Sequence, residues 1–225
     1  MEMVRTVARH DGPRGEVVLR HRSGDGSGVD ELIINGVFAM DSSETYTERV
    51  LADLALTSEG PYRVLLGGLG LGYTAAQLIA AGVGHLDVVE IEECLVGWAY
   101  EGLTPTLATV ARDPKVGLHA ADVTAVLAGL PPGPPGPWDA IVLDVDNGPD
   151  FLIHGSNSAL YTSANLAAAY AQLVDSGTLA IWCQGPAPEL LATLRQISAS
   201  ARPHTYRRVR QGRRLSYVIY TLPRP

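Results

Sequence analysis

The sequence predicts an α/β fold: a doubly wound, mostly parallel sheet of seven strands, preceded by a small unit of β-hairpins. Three observations carry this. An apolar strand at 63–66 enters a turn with glycine at 67, 68, 70 and 72, and a helical stretch follows at 72–81. From residue 62 onward, apolar strand patterns alternate with helical ones, as expected of parallel strands joined by crossover helices. Before residue 44 the pattern is instead one of short strands, with Asn35-Gly36 set between 31–34 and 37–40, a dipeptide that suits a type I′ hairpin turn. The expected division is a hairpin unit with one helix over 1–58 and a larger domain over 59–225.

In chain order, residues 1–43 read as β-hairpins: 17–20 are extended, and Ser-Gly-Asp-Gly-Ser-Gly-Val at 23–29 is a flexible loop. Ser43 precedes a helix over 44–57 whose apolar face is Val50, Leu51, Leu54 and Ala55. This unit is placed to form a lid or a dimer surface. Strands follow at 63–66, 85–90, 115–119, 139–144 and 177–183, with helices at 72–81, 92–101, 122–129, 162–175 and 187–200. A last strand at 216–222 closes the sheet, paired as an antiparallel hairpin with 204–210. Pro-Pro-Gly-Pro-Pro-Gly-Pro at 131–137 is a stiff connector inserted within the domain.

Composition narrows the function. The 225 residues are 46% apolar and 18% charged, enough for one large core, and no apolar run reaches membrane-spanning length. The N-terminus lacks an apolar signal core. Cys94 and Cys183 lie far apart without metal-ligand spacing, and read as thiols of a reducing cytoplasm. A net charge of −7 argues against general nucleic-acid binding. Six arginines between 202 and 214 read as a solvated strand pair that balances an acidic body.

In a doubly wound sheet, ligands lie outside the C-terminal strand ends. Glycine at 68, 70 and 72 gives G-x-G-x-G followed by Tyr73, rather than the G-x-G-x-x-G of a pyrophosphate site. That spacing is closer to an S-adenosyl-sulfonium site. Glu90, ending the second strand beside Ile91, can accept hydrogen bonds from ribose hydroxyls. Asp122 can accept from an adenine amino group, with the Val123 amide as a second contact; it can equally cap the next helix, and both can hold. Asp144 follows a buried apolar strand, where a carboxylate is costly unless paired or working. It can hold or deprotonate an attacking amine. Asp146 and Asn147 follow it, and Gln184 ends the fifth strand beside the same crevice. Tyr46 and Glu48 lie on the early helix, which can close over the crevice, and Tyr161 lies in the loop after strand four. Their bland alternatives are core for Tyr46, a solvated helix face for Glu48 and loop packing for Tyr161. His154 is a possible general base in the same loop.

Together these residues resemble the spermidine synthase (polyamine aminopropyltransferase) family, within the Rossmann-like S-adenosylmethionine-dependent methyltransferase folds. The resemblance runs from about residue 32 to the end. It covers the Asn-Gly hairpin, Glu-Thr-Tyr-Thr-Glu at 44–48, the glycines at 67–72 and Val-Glu-Ile-Glu at 89–92. It continues through Asp122, Leu-Asp-Val-Asp-Asn at 143–147, Leu-Tyr-Thr at 160–162 and Cys-Gln-Gly at 183–185.

The resemblance implies a transferase without a metal, in which Gly67, Gly68, Gly70, Gly72, Glu90, Ile91, Asp122, Val123 and Asp144 hold the donor. Asp144 and Tyr46 would be catalytic. Tyr46, Asp146, Asn147, Tyr161 and Gln184 would line the site of a small-molecule acceptor. A homodimer is expected. The departures are informative: Gly70 stands where the family has an acid that holds the aminopropyl ammonium, and Asn147 where it has an acid that binds the polyamine. The family's histidine beside the tyrosine is Thr47, and its glutamine after the hairpin falls at Ala39 or Met40. These losses favour intact S-adenosylmethionine over its decarboxylated form, and methyl transfer to a small acceptor. Aminopropyl transfer to an amine is the alternative, and a catalytically degenerate nucleoside-binding module the second.

Overall fold

The computed structural model describes residues 3–23, 28–56, 60, 62–131, 133–145, 147–210 and 213–225. Four strands, β1 (Met3–Gly12), β2 (Gly15–Ser23), β3 (Val29–Ile34) and β4 (Val37–Asp41), form an antiparallel sheet in sequence order. Asn35 and Gly36 both take positive φ, as the β3–β4 hairpin requires. The next helix, α1 (Tyr46–Ala55), leads into the main sheet.

That sheet takes the order β10-β11-β9-β8-β5-β6-β7, built from β5 (Arg63–Gly67), β6 (His85–Glu90), β7 (Val116–Ala120), β8 (Trp138–Leu143), β9 (Leu173–Cys183), β10 (Arg202–Arg210) and β11 (Arg213–Pro223). β9 through β7 pair in parallel, whereas β11 runs antiparallel to β9 and to β10. The crossovers are α2 (Tyr73–Ala80), α3 (Glu93–Glu101), α4 (Pro105–Arg112), α5 (Val123–Leu127), α6 (Ser163–Ala171) and α7 (Pro188–Ile197). This is the predicted seven-stranded, mostly parallel fold with a separate small sheet.

The central strands are apolar on both faces because helices cover both. Val64 and Leu66 of β5 join one core, with Val88 and Val142, and Leu65 joins the other, with Val89 and Ile141. The first core extends through Leu51 of α1 to Val17, Leu19, Leu32 and Ile34 of the small sheet. Strand order reverses at β5/β8, and the crevice at such a switch point is where these folds bind ligands. The turn is stitched there by Gly68 N donating to Val89 O (2.9 Å) and Asp144 N donating to Gly67 O (2.9 Å).

Several local features depart from the sequence expectation. β1 is a strand of its own, and α4 is an additional helix between β6 and β7. Thr104 caps α4 by accepting from Leu107 N at 3.2 Å, Pro105 takes its first turn, and Leu107 and Val110 face inward. The helix expected over 162–175 stops at Ala171. Residues 174–177 bulge between the Trp138–Leu173 and Ala140–Thr178 pairings, with Ser176 at φ +67°. Ser43 does not cap α1: its amide and hydroxyl both donate to Asp41 Oδ1, at 3.0 and 2.7 Å, in a turn. Of the loop expected over 23–29 and the connector over 131–137, residues 24–27 and 132 lie outside the described residues. Among the described residues, no helix is long and apolar enough to cross a membrane.

Candidate functional site

The switch-point crevice deepens into a cavity walled by the glycine turn, the ends of β6, β7, β8 and β9, the loop at 153–160, α1 and the small sheet. At Gly68 the turn can be built only from glycine, whereas at Gly70 a side chain would have to displace a flexible neighbour. At Gly68 (φ +92°) a Cβ would stand 2.1 Å from Asp144 O, because the β8 backbone passes directly beneath it. At Gly70 (φ +50°) a Cβ would meet Met40 Sδ at 2.7 Å. The same sulfur accepts from Leu71 N at 3.3 Å, so a thioether from β4 covers the position that the resemblance assigns to an acid.

Glu90 ends β6 inside the cavity wall. Its Oε2 accepts from Leu69 N at 2.7 Å and its Oε1 from Glu92 N at 2.8 Å. Burial pushes its carboxyl above the ordinary range; the amides of Glu92, Leu69 and Gly70 oppose that push. Glu90 thus shapes the glycine turn and still presents acceptor lone pairs to the cavity. Asp122 does both jobs weighed from sequence: its Oδ1 caps α5 by accepting from Thr124 N at 2.8 Å, and the residue lines the cavity with Val123 and Ile91. Arg14, from the β1–β2 turn, reaches the same wall and donates from Nε to Glu92 Oε1 at 3.1 Å. Nothing in the local sequence marks Arg14.

On the opposite side, Asp144 follows β8 and accepts at Oδ2 from Thr74 Oγ1 at 2.6 Å. Burial raises its carboxyl, and the Thr74 hydroxyl opposes this. Glu48 of α1 is buried and lines the cavity beside it. Burial, then the charge of Asp144, push the Glu48 carboxyl up to about 7; its backbone amide and the Thr47 hydroxyl, 3.0 Å from Oε2, oppose them. The reading of Glu48 as a solvated face is therefore corrected. Leu51, Ala52 and Ala55 stand three, four and seven residues on, so Glu48 begins the buried stripe of α1. Trp182 and Tyr217, with ring centroids 5.6 Å apart, form part of the wall, and Gln184 N donates to Asn147 O at 2.9 Å. His154 also lines it, with Nδ1 3.0 Å from Ser156 Oγ.

The structure therefore brings together Gly68, Gly70, Glu90, Ile91, Asp122, Val123, Asp144, Asn147 and Gln184. Tyr46 is a correction. Two residues along a helix is a rotation of about 200°, so with Glu48 inward Tyr46 faces out. Its ring lies 4.5 Å beneath the Arg208 guanidinium and edge-on to Tyr206. Arg208 in turn donates to Glu44, which does line the cavity. Tyr161 is another correction: it packs against the second core and is not in the cavity wall. Gly67 and Gly72 serve the backbone. The first packs against Val123 and the second, at φ +86°, starts α2. Asp146 lies outside the described residues. Among the described residues, no group of three or more His, Cys, Asp or Glu side chains could hold a metal ion.

One property of the wall belongs to no single motif. Asp41, Glu44, Glu48, Glu90, Glu92, Asp122 and Asp144 all line it, against Arg14, which is bound to Glu92, and His154. The cavity is built for positive charge.

No protein-family model matches the chain. Spermidine synthase 1 of Hyoscyamus niger is 30% identical over 116 residues, covering 50% of this chain and 36% of that protein. The match thus spans little more than a third of the length of that curated relative. Among solved structures, a spermidine synthase in complex with the transition-state analogue AdoDATO superposes with a TM-score of 0.76 at 16% identity, over 98% of this chain and 74% of that one. The spermidine synthase of Thermotoga maritima gives 0.76 at 14% identity, over 98% and 73%. Human Methyltransferase-like protein 13 in complex with SAH gives 0.55 at 20% identity, over 80% of each chain. The fold is that of the spermidine synthases, within the wider methyltransferase-like group.

Proposed function

We propose that this chain is a transferase that moves an aminopropyl group from decarboxylated S-adenosylmethionine to a small amine. The observation that carries the reading is the excess of carboxyl groups around the cavity. The decarboxylated donor is a cation with no carboxylate, and an amine acceptor is a cation at neutral pH. Intact S-adenosylmethionine carries a carboxylate, and the one arginine of the described wall is already spent on Glu92. Like charges in such a cavity cost binding rather than supply it. The likeness to spermidine synthases supports the same choice, so the order of preference drawn from sequence is reversed.

The residues fit such a donor. Glycine at 68 and 70 lets the backbone approach it closely, Glu90 keeps acceptor capacity for ribose hydroxyls, and Asp122 keeps Oδ2 for an adenine amino group. The sulfonium supplies an electrophilic carbon and a neutral thioether as leaving group. The protein's part is to hold nitrogen and carbon in line and to exclude water, which is the larger share of catalysis in such displacements. Asp144, fixed by Thr74 through one oxygen, has the other free to hold the acceptor nitrogen. Asn147 and Gln184 offer hydrogen bonds further along the wall, and Trp182 and Tyr217 offer faces for a cation.

Methyl transfer is the second reading, and Gly70 is what favours it. No carboxyl projects from that position, and Met40 covers it. Asp41, adjacent to Met40 and in the cavity wall, can supply the missing charge from another element. The expected homodimer fits the exposed Met3, Val4, Val37 and Phe38 of the small sheet, and the two free thiols, Cys94 and Cys183, suit a reducing cytoplasm.

Calorimetry with the two donors, followed by mass spectrometry of products from a panel of amines, tests the reading. Tighter binding of the decarboxylated donor by about tenfold or more, with an aminopropyl increment on the amine, is expected. Preference for the intact donor with a methyl increment would reverse it.

A further inference from the structure

Glu48 is a buried carboxyl of the described cavity wall, set in the first turn of α1, where the helix N-terminus and its own backbone amide favour its charge. Its only side-chain partner is its own neighbour, Thr47. The groups that face it from each packed element are few. β8 contributes Asp144, and the residues before α1 contribute Glu44, which is paired with Arg208 of β10. α2 contributes Thr74, spent on Asp144, and Gln77, which binds Asp53 on α1. β9 and β11 contribute Trp182 and Tyr217. Among the described residues no cation neutralises Glu48. Removing such a charge from water with only a hydroxyl and an amide to receive it is costly, unless a ligand supplies a counter-charge.

We propose that Glu48 is a further catalytic residue of this cavity: its carboxylate takes the proton from the acceptor's ammonium while Asp144 holds the nitrogen. The assignment rests on the transfer to an amine proposed above. An ammonium has no lone pair and cannot attack carbon. One N–H bond breaks and the proton goes to a Glu48 oxygen. The electron pair left on nitrogen forms the new N–C bond as the C–S bond breaks and its pair returns to sulfur. The product amine is again a cation and leaves after Glu48 gives the proton to water, so no further reactant is needed.

Glu48 and Asp144 line the same cavity, and the charge of Asp144 adds to burial in raising the Glu48 carboxyl. The raised affinity of Glu48 for a proton places the exchange near neutrality, where a general base works best.

The test uses Glu48→Gln, which keeps size and hydrogen bonding, with Glu48→Asp as the conservative rescue. For Glu48→Gln we expect turnover to fall about 10²-fold, decarboxylated-donor affinity to stay within about twofold of wild type, and the acidic limb of the kcat/KM profile to move well below pH 7. Glu48→Asp should restore part of the rate. A readout that needs no turnover is the carbon-13 NMR titration of the Glu48 carboxyl in the free chain. We expect a midpoint near neutrality that drops in Asp144→Asn, where the neighbouring charge is gone and burial remains. Unchanged turnover and pH profile in Glu48→Gln, or a Glu48 midpoint in the ordinary carboxylate range, overturns the assignment alone. A wild-type chain that transfers nothing to any amine overturns both the assignment and the reading beneath it.

Discussion

Asp87 and Glu48 are both carboxylates withdrawn from water, and the chain treats them in opposite ways. Asp87, within β6, is 3% exposed; Glu48, on α1, is 8% exposed. Around Asp87 stand Arg63 at 3.2 Å, His119 at 3.0 Å, His85 at 3.3 Å and the Trp138 indole at 3.4 Å. Burial pushes the Asp87 carboxyl up, but the bonds from His119 and Trp138 and the charges of His85 and Arg63 overcome it and hold it below the usual range. Glu48 receives its own backbone amide, one hydroxyl and a neighbouring negative charge, and burial wins. Burial alone therefore does not separate a fastening from a working group. The supply of donors does: a carboxylate that is fully provided for holds the fold, and one left short is waiting for something else to complete it.

The contrast can be broken at either end. The largest effect is expected from Asp144→Asn, the companion of Glu48. Turnover should fall by about 10²–10⁴-fold while donor affinity is spared, read by steady-state rates beside calorimetry. Retained turnover would mean that the short-supplied pair is not where the chemistry happens. Next, Asp87→Asn should cost about 2–4 kcal/mol of stability at neutral pH, read by denaturant unfolding, because Arg63 and its neighbours lose their shared partner. Since the folded state holds Asp87 below its ordinary pKa, its contribution is complete above about pH 4 and fades as pH falls through the depressed value.

Glu48→Gln should move stability the other way. The wild-type carboxyl is raised from 4.5 to about 7, so it costs nothing extra below pH 4.5 and progressively more up to pH 7. The variant should match wild type in acid and exceed it above pH 7 by on the order of 3 kcal/mol. Equal stability at all pH would show that Glu48 is better provided for than its surroundings indicate. The smallest effect is expected at Glu90, an intermediate case that backbone amides serve. Glu90→Gln should weaken donor binding by about 1.5–3 kcal/mol, the worth of charged hydrogen bonds to hydroxyls, read by calorimetry.

What the sequence made legible follows from local rules. The strand ending on Glu90, the glycine turn, the Asn-Gly hairpin and the cap at Asp122 each depend on residues within a few positions of one another. Glu48 was legible too, but its type argued louder than its position. The stripe of Leu51, Ala52 and Ala55 put it inside, and a charged residue was read as solvated. Tyr46 was not legible. Arg208, which draws it outward together with Glu44, lies 164 residues beyond Glu44 and leaves no trace near the helix. The same holds for Met40 over Gly70 and for the total charge of the cavity. Gly70 and Asn147 taken singly pointed to a site that had lost its acids. Asp41, Glu44 and Glu48 come from the small sheet, the loop after it and α1, and only the fold assembles them.

The Arg14–Glu92 pair joins the first hairpin to a loop 78 residues later, and both residues line the cavity. Under the proposed transfer, an adenosine-sized product leaving past this pair would have to part the two, and an ion pair part-open to water loosens as salt is added. Release of the spent nucleoside, rather than bond-making, would then be the step that ionic strength hastens.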